Sequence, residues 1–145
     1  MRDQYRDGPD VLLVGVDGSE TSMRAAAYAA GMARRQKARL VCLFVRPFSA
    51  AAGMSAGATV GIRESHDFMA AELRQNAEEQ GPRLGIDITF VERDGNPFAE
   101  IVRLADEIQA DAVIVGASTK AGHRLVGSLA VHLVRASRWP VTVVP

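Results

Sequence analysis

A chain of 145 residues with 48% hydrophobic and 23% charged side chains has the size and composition of one globular domain. Its 17 basic side chains balance 17 acidic ones, which argues against a protein that wraps nucleic acid with a dense basic surface. The single cysteine, Cys42, excludes an intrachain disulfide. No apolar run approaches ~20 residues, so no membrane span is expected. With a polar lead-in that lacks a signal-peptide core, the chain is expected to be cytoplasmic.

Residues 1–10 are charged and expected to fray. Val11 to Val16 is a continuous apolar run, as for a strand covered on both faces. Asp17-Gly18 breaks it, and Ser19 is placed to cap a helix reaching Gln36. The inward positions of that helix read as Met23, Ala26, Ala27, Ala30 and Ala33. Leu40 to Val45 is a second apolar strand, with Cys42 as a small buried hydrophobe and Pro47 as its end. Phe48 to Gly61, rich in Ala, Gly and Ser, reads as a surface loop. A helix from Arg63 to Gln80 is expected to stop at Gly81-Pro82. Ile86 to Val91 alternates, as in an edge strand. Asn96-Pro97 then caps and starts a helix with Phe98, Ile101, Val102, Ala105 and Ile108 on one face. Asp111 to Val115 is the fourth strand, Ser128 to Ser137 the last helix, and Val141 to Val144 a short final strand. Strict strand–helix alternation predicts a parallel sheet with helices on both faces.

Two segments carry ligand chemistry, and each follows a strand. Asp17-Gly18-Ser19 ends the first, and a loop of Gly, Ser, Thr and Lys from Gly116 to Ser128 follows the fourth. Glycine lets backbone approach an anion closely, and the free amides at a helix start point at negative charge. Charge is unevenly distributed: no Asp or Glu occurs from Ala112 to Pro145, whereas Lys120, Arg124, Arg135 and Arg138 do. Open parallel sheets bind ligands beyond the strands' carboxyl ends where strand order reverses. If the first and fourth strands are neighbours, a phosphate on the Gly116 loop stands beside Asp17. No His, Cys, Asp and Glu spacing suggests a protein metal site. His123 has no identifiable nucleophile or acid partner, and His66 and His132 read as packing or surface residues.

From Val11 to Val144 the chain resembles the universal stress protein family. The resemblance rests on Val-Gly-Val-Asp-Gly-Ser at 14–19, the Ala-rich first helix and Phe44-Val45. It also rests on Gly95-Asn96-Pro97, Ala-Asp-Ala-Val-Ile-Val-Gly at 110–116, Gly127-Ser128 and the closing Pro-Val-Thr-Val-Val. It implies a single domain over 11–145 with a five-stranded parallel sheet in order 3-2-1-4-5, the adenine nucleotide alpha hydrolase-like (Rossmann-like) fold. It also implies a homodimer through the last strand. The implied ligand is ATP or another adenine nucleotide, with Mg²⁺ held mainly by phosphate and water. Val16-Asp17 would meet its sugar or base, the Val45 backbone its adenine, and Gly116, Ser118, Thr119, Gly122, Gly127 and Ser128 its phosphates.

The loop departs from the family's ATP-binding pattern of Gly, two residues, Gly, nine residues, then Gly with Ser or Thr. Thr119 stands at the second glycine, and only seven residues separate it from Gly127. A β-branched residue resists positive φ and close backbone approach. Two readings stay open: an adenine-nucleotide-binding stress or signalling protein with at most slow ATPase turnover, and a non-nucleotide dimeric interaction protein whose shortened loop closes the cleft. A third, an adenylating or pyrophosphatase-type enzyme of related fold, lacks the Ser/Gly-rich loop such enzymes place after the first strand.

Overall fold

The computed structural model describes residues 7–47, 55–118 and 126–145. In chain order the elements are β1 (Val11–Gly15), α1 (Glu20–Gln36), β2 (Arg39–Arg46), α2 (Ala56–Leu84) and β3 (Ile88–Asp94). They continue with α3 (Pro97–Ile108), β4 (Ala112–Gly116), α4 (Gly127–Ala136) and β5 (Val141–Val144). The strands form one parallel sheet in the order β3-β2-β1-β4-β5. This is the expected fold, with β3 at one edge and β5 at the other.

Strand alternation divides the core in two. Leu12, Val14, Leu40, Cys42, Phe44 and Ile114 point to the face covered by α1 and α2. Leu13, Val41, Leu43, Val113 and Val115 point to the face covered by α3 and α4. The entry to β1 is fastened by Asp111, whose Oδ2 accepts from the amides of Asp10 at 2.9 Å and Val11 at 3.0 Å. Residues 1–6 of the expected frayed lead-in lie outside the described residues.

The caps form as their residue types predict. Ser19 accepts from the Ser22 amide and Asn96 from the Ala99 amide. The sheet-facing side of α1, however, is rotated from the expected stripe. Thr21, Ser22, Ala25, Ala29 and Ala33 are buried, Met23, Ala26 and Ala30 lie at the margin, and Ala27 is exposed. Two hydroxyls head this buried row, which a search for apolar residues passes over. On α3, likewise, Leu104 and Glu100 join Ile101 and Ala105 on the buried side, while Val102 is only partly covered.

Helix α2 is longer at both ends than expected. Ser55 accepts from the Ala58 amide at 3.2 Å and starts the helix within the stretch read as loop; residues 48–54 of that stretch lie outside the described residues. Gly81-Pro82 does not stop it. Pro82 sits in the final turn, and the true end is Gly85, at φ 68°, whose amide reaches the carbonyls of Gly81 and Pro82. Gly81 serves contact instead: a Cβ there would stand 3.3 Å from the Ile86 carbonyl.

Strand β3 runs on through Glu92, Arg93 and Asp94, beyond the expected Val91. Its charged end is held by neighbours. Arg46 Nη2 lies 3.1 Å from both Glu92 and Asp67, and Arg74 lies 3.0 Å from Glu92.

Candidate functional site at the strand-order reversal

Strands β1 and β4 are neighbours, with Leu12, Leu13 and Val14 opposite Ala112, Val113 and Ile114. From β1 the chain winds outward through β2 to β3, then crosses back to β4. The reversal therefore lies between the carboxyl ends of β1 and β4, where a ligand crevice is expected. Continuing the β1–β2 register, in which Gly15 faces Leu43, brings Asp17 level with Val45. Continuing the β1–β4 register brings Asp17 level with Ala117 as well. Val16, Asp17, Val45 and Gly116 thus meet along one rim.

The rim is tied together by hydroxyls of α1. Thr21 Oγ1 donates to the Ala117 carbonyl at 2.6 Å, a buried bond between the first turn of α1 and the exit of β4. Ser22 Oγ accepts from the Asp17 amide at 3.2 Å and donates to the Ser19 carbonyl at 3.0 Å. The Ser19 amide donates to Asp17 Oδ1 at 2.9 Å. Neither Thr21 nor Ser22 belongs to the residues that the sequence motifs mark for the site. Their signal is a pair of hydroxyls in a first turn, on the same face as the alanines.

Asp17 reaches water although protein surrounds much of it. That crowding pushes its carboxyl up, but hydrogen bonds from the Ser19 hydroxyl and amide, with a further one from Ser22, outweigh it. The group is held below its ordinary value and stays ionised.

Glycine at 116 is demanded by packing. A Cβ there would lie 2.5 Å from the Thr21 carbonyl carbon and 2.6 Å from the Ser22 nitrogen, both backbone atoms. Gly18, at φ 83°, lies beneath Met69 of α2, whose Sδ would be 2.4 Å from an added Cβ. Gly127, at φ 77°, abuts Ser118; a Cβ would sit 2.8 Å from the serine's. The start of α4, the exit of β4 and the first turn of α1 therefore converge.

Ser128 does not cap α4. The N-cap position belongs to Val126, which makes no side-chain cap hydrogen bond. Backbone amides at such a helix start are the donors an anion can use. Thr119, Lys120, Gly122, His123 and Arg124 lie outside the described residues.

The other candidates take structural places. His66 meets the Phe44 ring edge-on at 6.4 Å, and His132 meets Phe98 at 5.7 Å. Burial pushes the Cys42 thiol up to about 12, as for an inert core residue. Among the described residues no cluster of three His, Cys, Asp or Glu is placed to hold a metal, and no helix is long and apolar enough to cross a membrane. Two cavities lie near the rim. One of about 500 Å³ is bounded by Arg46, Pro47, Asp94 and the first half of α2. The other, of about 340 Å³, runs between α1 and α2 and ends at Val16. Neither is lined by Asp17, Gly116 or Gly127.

Comparison with known proteins agrees with this architecture. The family model described as "Universal stress protein family" matches residues 9–145. A universal stress protein of Methanocaldococcus jannaschii is 28% identical over 136 residues, covering 92% of this chain and 80% of its own length. Among solved structures, universal stress protein UspA from Lactobacillus plantarum superposes with a TM-score of 0.75 at 24% identity, covering 93% of this chain and 97% of that one. A universal stress protein solved in complex with cAMP superposes with a TM-score of 0.67 at 26% identity, covering 94% of this chain and 96% of that one.

Proposed function

The chain belongs to the universal stress protein family, and from that premise we propose that the rim between β1 and β4 binds an adenine nucleotide, ATP or a close relative, in a stress-response or signalling role. The observation that carries the reading is the convergence at one point of an ionised carboxylate and an uncapped helix start. Asp17, exposed at the rim, can accept from a ribose hydroxyl, and the first-turn amides of α4, which no N-cap side chain holds, can donate to phosphate. From Ala112 to Pro145 the sequence holds no carboxylate to repel that phosphate. The cAMP complex of a family member supports an adenine ligand.

Mg²⁺ fits such a site as a phosphate-bound ion that keeps its own waters. Turnover is expected to be slow, because no described side chain at the rim is a base set beside a nucleophile. The edge strand β5, paired on one side by β4, is proposed as the homodimer contact.

A second reading is favoured by Gly116. Its lack of a side chain is fully used by contact with Thr21 and Ser22, as in a dimeric interaction protein that binds no nucleotide.

Thermal melts with and without millimolar Mg-ATP separate the two. At a hundredfold excess over Kd, binding adds about 2.7 kcal/mol and raises Tm by about 5–10 °C for a domain of this size. The rise should disappear in Asp17→Ala, with each variant compared with its own ligand-free melt. No rise in the wild type, with no nucleotide released on denaturation, would favour the interaction-protein reading.

A further inference from the structure

The crevice between α1 and α2 adjoins the proposed nucleotide rim at Val16 alone and has a chemistry of its own. It exists because small residues face each other across it: Ala26 and Ala30 on α1, and Ala77 on α2. Larger side chains there would fill the space between the helices. Its floor is Leu40, Cys42 and Phe90, from β2 and β3. Its volume of about 340 Å³ lies within the range of small-molecule sites.

The mouth is polar and one-sided. Arg34, Asn76 and Gln80 stand there, and Arg34 is the one charged residue among those lining the crevice. Among the described residues Arg34 makes no ion pair and no side-chain hydrogen bond, whereas Arg74 nearby is engaged by Glu92 and lies over the Phe90 ring. An apolar slot with one unpaired cation at its opening complements a molecule with an aliphatic body and a single anionic end.

We propose that this crevice is a binding site for a linear aliphatic carboxylate, its chain lying on Leu40, Cys42 and Phe90 and its carboxylate at Arg34. The assignment does not rest on the nucleotide reading.

The test is titration calorimetry of the whole chain with hexanoate, octanoate and decanoate, each below its micelle concentration, with octanol as the neutral counterpart. Affinity should rise about fourfold per added methylene. Octanoate should shift the methyl resonances of Leu40, Leu73 and Ile88 and leave those of Leu104 and Leu133, on the opposite face of the sheet, in place. Arg34→Gln should weaken octanoate by about three- to tenfold without changing octanol, and Ala30→Phe, which fills the slot, should abolish both. Affinity that does not depend on chain length would overturn the proposal. So would octanoate binding retained in a folded Ala30→Phe, or resonance shifts on the Leu104 face. The wild-type resonance map decides the matter even if Ala30→Phe does not fold.

Discussion

The hydroxyl of Thr21 and the carbonyl of Ala117, 96 residues apart in sequence, share a buried hydrogen bond of 2.6 Å that locks the first turn of α1 against the exit of β4. Both proposed ligand segments hang from this bond. Thr21→Val keeps the shape but leaves the carbonyl unpaired, and should cost about 1–3 kcal/mol in urea unfolding. Thr21→Ser retains the donor and should cost less. A larger loss in Thr21→Ser than in Thr21→Val would show that the methyl contact, and not the bond, holds this junction.

Gly116 sits beside that bond with no room for a side chain. In Gly116→Ala the new methyl would meet the backbone of Thr21 and Ser22 within 2.7 Å, where no flexible group can give way. The expected loss is about 3 kcal/mol or more. Gly57→Ala, which meets nothing within 4 Å on helix α2, is the control and should be neutral or slightly stabilising. A Gly116→Ala protein as stable as wild type would refute the close approach.

The Glu92 carboxyl is held below its ordinary value of 4.5, chiefly by the Arg74 hydrogen bond; partial burial opposes this and Arg46 assists it. A lowered folded-state value means that its stabilisation is complete above pH 4.5 and is lost as pH falls through the lower value. Glu92→Gln should therefore flatten part of the acid limb of a stability–pH curve below about pH 5. The difference between wild type and variant should shrink as pH drops. A constant difference across that range would show that the two arginines do not favour the ionised form.

Helices α1, α3 and α4 each end on a non-glycine residue in the left-handed region: Lys37 at φ 56°, Gln109 at φ 54° and Ser137 at φ 52°. Side chains there carry a steric cost that glycine avoids. Lys37→Gly and Ser137→Gly should each stabilise the chain by about 0.5–1 kcal/mol, adding nearly independently. Chemical denaturation of the single and double variants checks this.

Much of the architecture is local and was therefore readable from the sequence. Continuous apolar runs became buried central strands. Ser19 and Asn96 became caps, because their side chains satisfy amides only three residues away. Strict alternation of strand and helix dictated a parallel sheet, and the family resemblance supplied its order. The placement of Asp17 at a strand end also followed from the sequence, because Asp-Gly breaks an apolar run wherever it stands.

What the tertiary structure decided is how those pieces meet. The face of α1 that turns inward is headed by two hydroxyls: Ser22 bonds locally to the Asp17 amide, but Thr21 finds its partner only when β4 arrives from far along the chain. The length of α2 was settled by a left-handed turn at Gly85 and by a serine cap in a stretch with no clear period. The meaning of Gly116 changed most. In sequence it is a flexible residue opening a phosphate-like loop, and in three dimensions it is the point where the α1 backbone touches the sheet. Local chemistry fixes which conformations a segment can adopt, but the contact that selects among them comes from atoms distant in the chain.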